Sequence, residues 1–110
     1  MSLLEIEVTC PDSESATIIA KACLRARLIA CANLLPQVES LFFWQGQVDS
    51  ESETLLRMKT RETLFDEICA LVKEHHPYEL PAIIAYPVTQ AGPGVADWVG
   101  AETQPAKICD

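Results

Sequence analysis

The chain has 110 residues, 49% apolar and 22% charged, which excludes a disordered or fibrous protein and suits one domain around one core. Its 8 lysines and arginines against 16 aspartates and glutamates leave a formal charge of -8. That charge counts against nucleic acid and membrane surfaces as partners and favours cations.

Leu4, Ile6 and Val8 alternate with Glu5, Glu7 and Thr9, the period of a half-buried strand over 4–9. Pro11-Asp12-Ser13 turns the chain and offers an N-cap, with Glu14 in the first helical turn. Ala16, Ile19, Ala20, Cys23 and Leu24 recur at helical spacing, which predicts a helix ending near Arg27 or Leu28. From Cys31 to Trp44 the pattern is extended, with Pro36 marking a bend or bulge. Leu41-Phe42-Phe43-Trp44 puts large apolar groups on both faces of that strand. Gln45-Gly46-Gln47 reads as a tight hairpin turn and Glu53 to Thr60 as the returning strand. Thr60 is the expected N-cap of a second helix, whose buried stripe is Leu64, Ile68, Leu71 and Val72 and whose stop is Pro77. Ala82 to Val88 reads as a fourth strand, an edge strand because of Pro87. A short helix carrying Val95, Trp98 and Val99 follows the Gly92-Pro93-Gly94 turn.

The fold class this order predicts is α+β, a ferredoxin-like β-α-β-β-α-β sandwich with a short C-terminal helix. The domain is expected over 1–103, with a loose tail over 104–110. Such a sandwich covers one sheet face with helices and leaves the other bare. The two-sided apolar strand predicts that a second copy of the chain covers it, so a homo-oligomer is expected.

The five cysteines, Cys10, Cys23, Cys31, Cys69 and Cys109, are odd in number and form no CxxC. A disulfide scaffold or intrachain zinc site is therefore not expected. Cys23 and Cys69 read as core and Cys109 as an exposed tail thiol. Met1 to Glu5 does not read as a signal peptide, and the apolar run Leu28 to Ala32 is far shorter than the ~20 residues of a membrane span. The expected compartment is cytoplasmic.

Chemistry-bearing residues are densest in His75-His76-Pro77-Tyr78-Glu79-Leu80-Pro81. Imidazoles, a phenol and a carboxylate could ligate a metal or act as acid and base. Adjacent residues on a helix diverge by ~100°, so both imidazoles meet one ion only if the helix unwinds or another chain contributes. The plainer reading is a proline-bracketed turn with one solvated and one packed histidine. Cys31 with Asn33 could be a nucleophile and an orienting amide, with His76 as base, but an apolar stretch suits an inert packed thiol better. Trp44, Trp98, Phe42 and Phe43 read as core or interface anchors rather than ligand-stacking rings. Lys59 could meet an anion or pair with Glu79. Asp49, Glu51 and Glu53 read as a solvated strand edge. There is no glycine-rich phosphate loop, HExxH or GxSxG, so the chain is not read as an enzyme.

Val8-Thr9-Cys10-Pro11, Arg27 to Asn33, Pro36, Phe43-Trp44-Gln45-Gly46, Lys59-Thr60 and His76 to Pro81 together resemble the CutA family of divalent-cation tolerance proteins. The resemblance implies a ferredoxin-like protomer in a tight homotrimer, similar in architecture to the PII signalling proteins. It also implies a cytoplasmic role in the response to metal ions, with copper or other divalent cations as ligands. Carried onto this chain, the metal ligands are His75, His76 and a strand-one cysteine. The family's cysteine position aligns with Val8, and Cys10 on the same strand face is its substitute. The family's shared polar residues map onto Asn33, Lys59, Tyr78 and Glu79 near subunit boundaries. With Cys31, Trp44 and Trp98 they form the expected pocket and interface. A PII-like small-molecule-binding regulatory trimer is the alternative, and a cysteine-dependent enzyme a remote one.

Overall fold

The computed structural model describes residues 1–105. Strand β1 spans Leu3–Cys10, helix α1 Ser13–Arg25, β2 Cys31–Trp44, β3 Gln47–Arg61, α2 Phe65–His75, β4 Ile83–Val88 and α3 Val95–Glu102. The strands form one sheet in the order β2-β3-β1-β4 with every pair antiparallel, the ferredoxin-like arrangement. Ile6, Val8 and Cys10 of β1 and Leu56 and Met58 of β3 turn to the helices and are buried with Ile19, Ile68 and Val72. The alternate residues Glu5, Glu7, Arg57 and Lys59 occupy the open face. The period of two in each strand therefore sorts the core from the bare face.

Helix α1 begins where the sequence predicts. The carboxylate of Asp12 accepts the Ser15 N–H at 2.7 Å, and this bond holds that carboxyl below its ordinary range. The buried positions are Ala16, Ile19, Ala20 and Cys23, whereas Leu24, assigned to the same stripe, is 39% exposed. The helix closes earlier than expected, at Arg25. Arg27 N–H donates to the Leu24 carbonyl and Leu28 N–H to the Cys23 carbonyl, with Arg27 left-handed at φ 59°. This is a Schellman closure without its usual glycine. It sends Leu28 and Ile29 inward, while Leu24, in the last helical turn, stays partly exposed.

The hairpin is longer than the sequence pattern indicates. β3 starts at Gln47 rather than Glu53, because backbone pairing with β2 continues to Trp44↔Gln47 through a polar stretch with no apolar alternation. The two-residue turn Gln45-Gly46 has positive φ at both positions, 50° and 79°, which matches the twist of the flanking strands. One extra residue enters β2 between Leu35 and Val38, beside Pro36 and the left-handed Gln37, so the expected bend is a β-bulge. β1 stops at Cys10↔Thr54, so 38–53 continues as a two-stranded arm paired only with itself.

Thr60 is not the cap of α2. It lies within β3, buried, and its hydroxyl donates to the Leu28 carbonyl. A 3-10 turn over Glu62–Leu64 leads into α2 instead. Leu64, Ile68 and Val72 of the predicted stripe are buried and Leu71 is half-buried. The helix ends at His75, and His76 is extended (ψ 135°), as a residue before proline must be. β4 is an edge strand with Pro87 near its end, as expected, and begins one residue after the predicted Ala82. After α3 the Gln104 N–H donates to the Arg27 carbonyl at 2.8 Å, so the segment expected to be loose is tied at its first residue. Cys109 lies outside the described residues. No helix among the described residues is long and apolar enough to cross a membrane.

Candidate functional site

The turn after α2 is pinned by side chains. His76 is buried, with Nε2 2.8 Å from the Thr9 carbonyl, while Nδ1 accepts the Tyr78 N–H at 3.0 Å. With Nδ1 accepting from Tyr78, Nε2 is the ring nitrogen left to donate to the Thr9 carbonyl. Its ring also lies against Tyr78, centroids 4.8 Å apart. His75, one residue earlier, is exposed. The turn thus has one packed and one solvated imidazole, and the two diverge.

Tyr78 reaches from this turn to the root of the arm. Its hydroxyl donates to Glu53 Oε2 at 2.7 Å, and Glu53 is buried. Desolvation, then the Glu53 bond and charge, push the phenol above its ordinary range. The solvated edge expected of Asp49, Glu51 and Glu53 therefore fails at Glu53. Its neighbours alternate identically in sequence, and only its place where β1 runs out distinguishes it. Cys10 is buried, its thiol pushed up to about 11 by burial first and then by the Asp12 and Glu53 charges.

The three expected metal ligands lie in different surroundings. Both nitrogens of His76 are engaged with the protein, and Cys10 is fully buried in the core. Among the described residues, no group of three or more His, Cys, Asp or Glu side chains could hold a metal ion. Within one chain His76 and Cys10 are buried, and of the three His75 is the one whose side chain is exposed.

The pocket and interface residues separate into three places. Cys31, Asn33 and Lys59 share the open sheet face, with Cys31 opposite Lys59 in register. Lys59 Nζ lies 3.4 Å from Asn33 Oδ1 and 3.6 Å from Glu5, so it pairs with these and not with Glu79. Beside them Arg57 meets Glu7 at 3.3 Å and the Tyr86 hydroxyl donates to Glu7 Oε2 at 3.4 Å. Tyr78 and the exposed Glu79 sit at the opposite end of the sheet, where Thr9 pairs with Leu55, four residues from Lys59 along β3. Four strand residues span about 13 Å. The same separation removes His76 from Cys31, so the nucleophile and base of a cysteine enzyme are not brought together. Trp44, at the arm tip, and Phe43 are 62% and 78% exposed, and Trp98 on α3 is 42% exposed. None of the three is core. Leu41, Phe43 and Trp44 line the arm with uncovered apolar surface, and Val48 faces Phe43 across it.

Known proteins share this chain's sequence and its backbone. The model of the CutA1 divalent ion tolerance protein family matches residues 5–102. Protein CutA of Mus musculus is 40% identical over 97 residues, covering 88% of this chain and 55% of the mouse protein. The chain thus spans about half the length of that relative. The divalent-cation tolerance protein CutA of Thermus thermophilus is 38% identical over 96 residues, covering 87% of this chain and 93% of its own. The crystal structure of CutA1 from Oryza sativa superposes with a TM-score of 0.92 at 33% identity, over 94% of this chain and 95% of that one. Compartments differ among such proteins, for a rice relative is named chloroplastic and an Archaeoglobus fulgidus structure periplasmic. With 98 consecutive positions matched (5 to 102 inclusive) and the β2-β3-β1-β4 sheet in place, the chain belongs to the CutA1 divalent ion tolerance protein family.

Proposed function

We propose that this chain works in the cytoplasm as a homotrimer in the cellular response to divalent metal ions, copper among them. The ions bind at boundaries between copies. The observation that carries this reading is the arm, where Leu41, Phe43, Trp44 and Val48 are uncovered together. A two-stranded ribbon with that much exposed apolar surface gains most by docking on another copy. A boundary also supplies what one chain lacks. His75 is exposed at the end of α2, and further ligands come from a neighbouring copy, with water completing the shell. Free thiols at Cys10, Cys23, Cys31 and Cys69 suit a reducing compartment. The two-residue Gln45-Gly46 turn has no room to cradle an anion, which counts against the PII-like small-molecule reading.

Light scattering on reduced protein at micromolar concentration tests the assembly. A mass three times 12.1 kDa is expected, and Phe43→Ser with Trp44→Ser should release monomers. A 12.1 kDa wild type overturns the trimer. Calorimetric titration with copper(II) tests the site separately: His75→Ala should bind at least about tenfold more weakly. Equal affinity removes His75.

A further inference from the structure

The arm leaves the sheet at a soft point. β1 ends opposite Thr54, so from Glu53 outward β3 is paired with β2 alone. At the same level β2 carries its bulge, with Pro36 and the left-handed Gln37. A bulged, two-stranded ribbon has little of its own to fix its direction. Among the described residues, two side-chain hydrogen bonds reach this root from outside the hairpin, Ser13 with Thr54 and Tyr78 to Glu53, and only the second holds the arm side of the root.

That bond is the last of a series. His76 Nε2 is fixed to the Thr9 carbonyl of β1, Tyr78 N–H to His76 Nδ1, and the Tyr78 hydroxyl to Glu53. Through these three bonds the turn is bolted to the central strand and the arm is bolted to the turn. We propose that this series is a latch in which Tyr78 and Glu53 are positioning residues. It sets the direction of the arm together with the position of the turn following α2. Displacement of the turn releases the arm, and release of the arm frees the turn. The latch gains its functional meaning from the reading that the arm joins copies, but its test does not depend on that reading.

The test is hydrogen exchange of the whole chain, comparing amides of 38–53 with those of β3 at 55–60, in wild type, Tyr78→Phe, Glu53→Ala and the double variant. Tyr78→Phe keeps the ring and removes only the donor. Each single variant should exchange faster in the arm by about tenfold, the opening that loss of one net hydrogen bond allows, with 55–60 unchanged. The double variant should be no faster than the singles, since both break the same bond. Arm exchange equal to wild type, acceleration spread equally into 55–60, or additive effects in the double variant would each overturn the latch. Mass measured on the same samples keeps the questions apart: a monomeric wild type refutes the trimer and leaves the latch standing or falling on the exchange pattern.

Discussion

His76 and Thr9 meet through a 2.8 Å hydrogen bond between the imidazole Nε2 and the β1 carbonyl, although 67 residues separate them. The bond makes an imidazole that would suit a metal into part of the scaffold. It also leaves its neighbour His75 in solvent.

Replacing the two histidines should therefore separate structure from binding. His76→Ala leaves the Thr9 carbonyl and the Tyr78 N–H without their partner, which should lower the unfolding free energy in urea by about 1–3 kcal/mol. His75→Ala should stay within about 0.5 kcal/mol of wild type. The reverse order would show that the turn is not held by His76.

The alkaline limb of stability should follow two buried thiols. Burial raises Cys10 and Cys23 from 9.0 to about 11, so the native state keeps these protons longer than the unfolded chain. Their contribution is complete below pH 9 and is lost as pH rises from 9 to about 11. Each thiol accounts for on the order of 2 kcal/mol over that window. Urea unfolding of reduced protein between pH 8 and 11 should show the fall, and a Cys10→Ala/Cys23→Ala variant should show a shallower one.

At the acid end the carboxyl of Asp12 sits below its ordinary 3.8 because it accepts the Ser15 N–H. Its share of stability is present above that value and disappears as pH falls through the lowered one. Asp12→Asn keeps a capping oxygen, so its melting temperature at pH 7 should match wild type while its acid-induced loss is smaller. Asp12→Ala should melt lower than wild type at pH 7, with the gap closing as pH falls through the lowered value.

Helix α1 offers a test of packing. Ile19 is fully buried and Leu24, on the stripe drawn from periodicity, is 39% exposed. Ile19→Ala should cost about 2–5 kcal/mol, the usual range for a buried large-to-small change. Leu24→Ala should cost less than about 0.5 kcal/mol, as at other surface positions. Similar losses at both would place Leu24 back in an interface.

Element order, a cap within Pro11-Asp12-Ser13, the bend at Pro36, the stop at Pro77 and the edge at Pro87 were all legible in the sequence. Each follows from interactions within a few residues: a side chain against its own backbone, a ring that forbids a dihedral, a period that matches one face. The family was legible for a related reason, since its motifs are short and fall in order along the chain. Other features were decided only by tertiary structure. Polar 47–52 became strand because β2 offered it a backbone partner. Thr60 became a buried donor to Leu28 rather than a cap, Leu24 was left partly exposed in the last turn of α1, and Lys59 found Glu5 instead of Glu79. Glu53 looked like Glu51 and Asp49 until register put it where β1 ends and Tyr78 arrives. Register and burial depend on segments tens of residues apart that meet only when the sheet closes. A local pattern carries the period of a strand, but not which residue across the sheet will satisfy its charge.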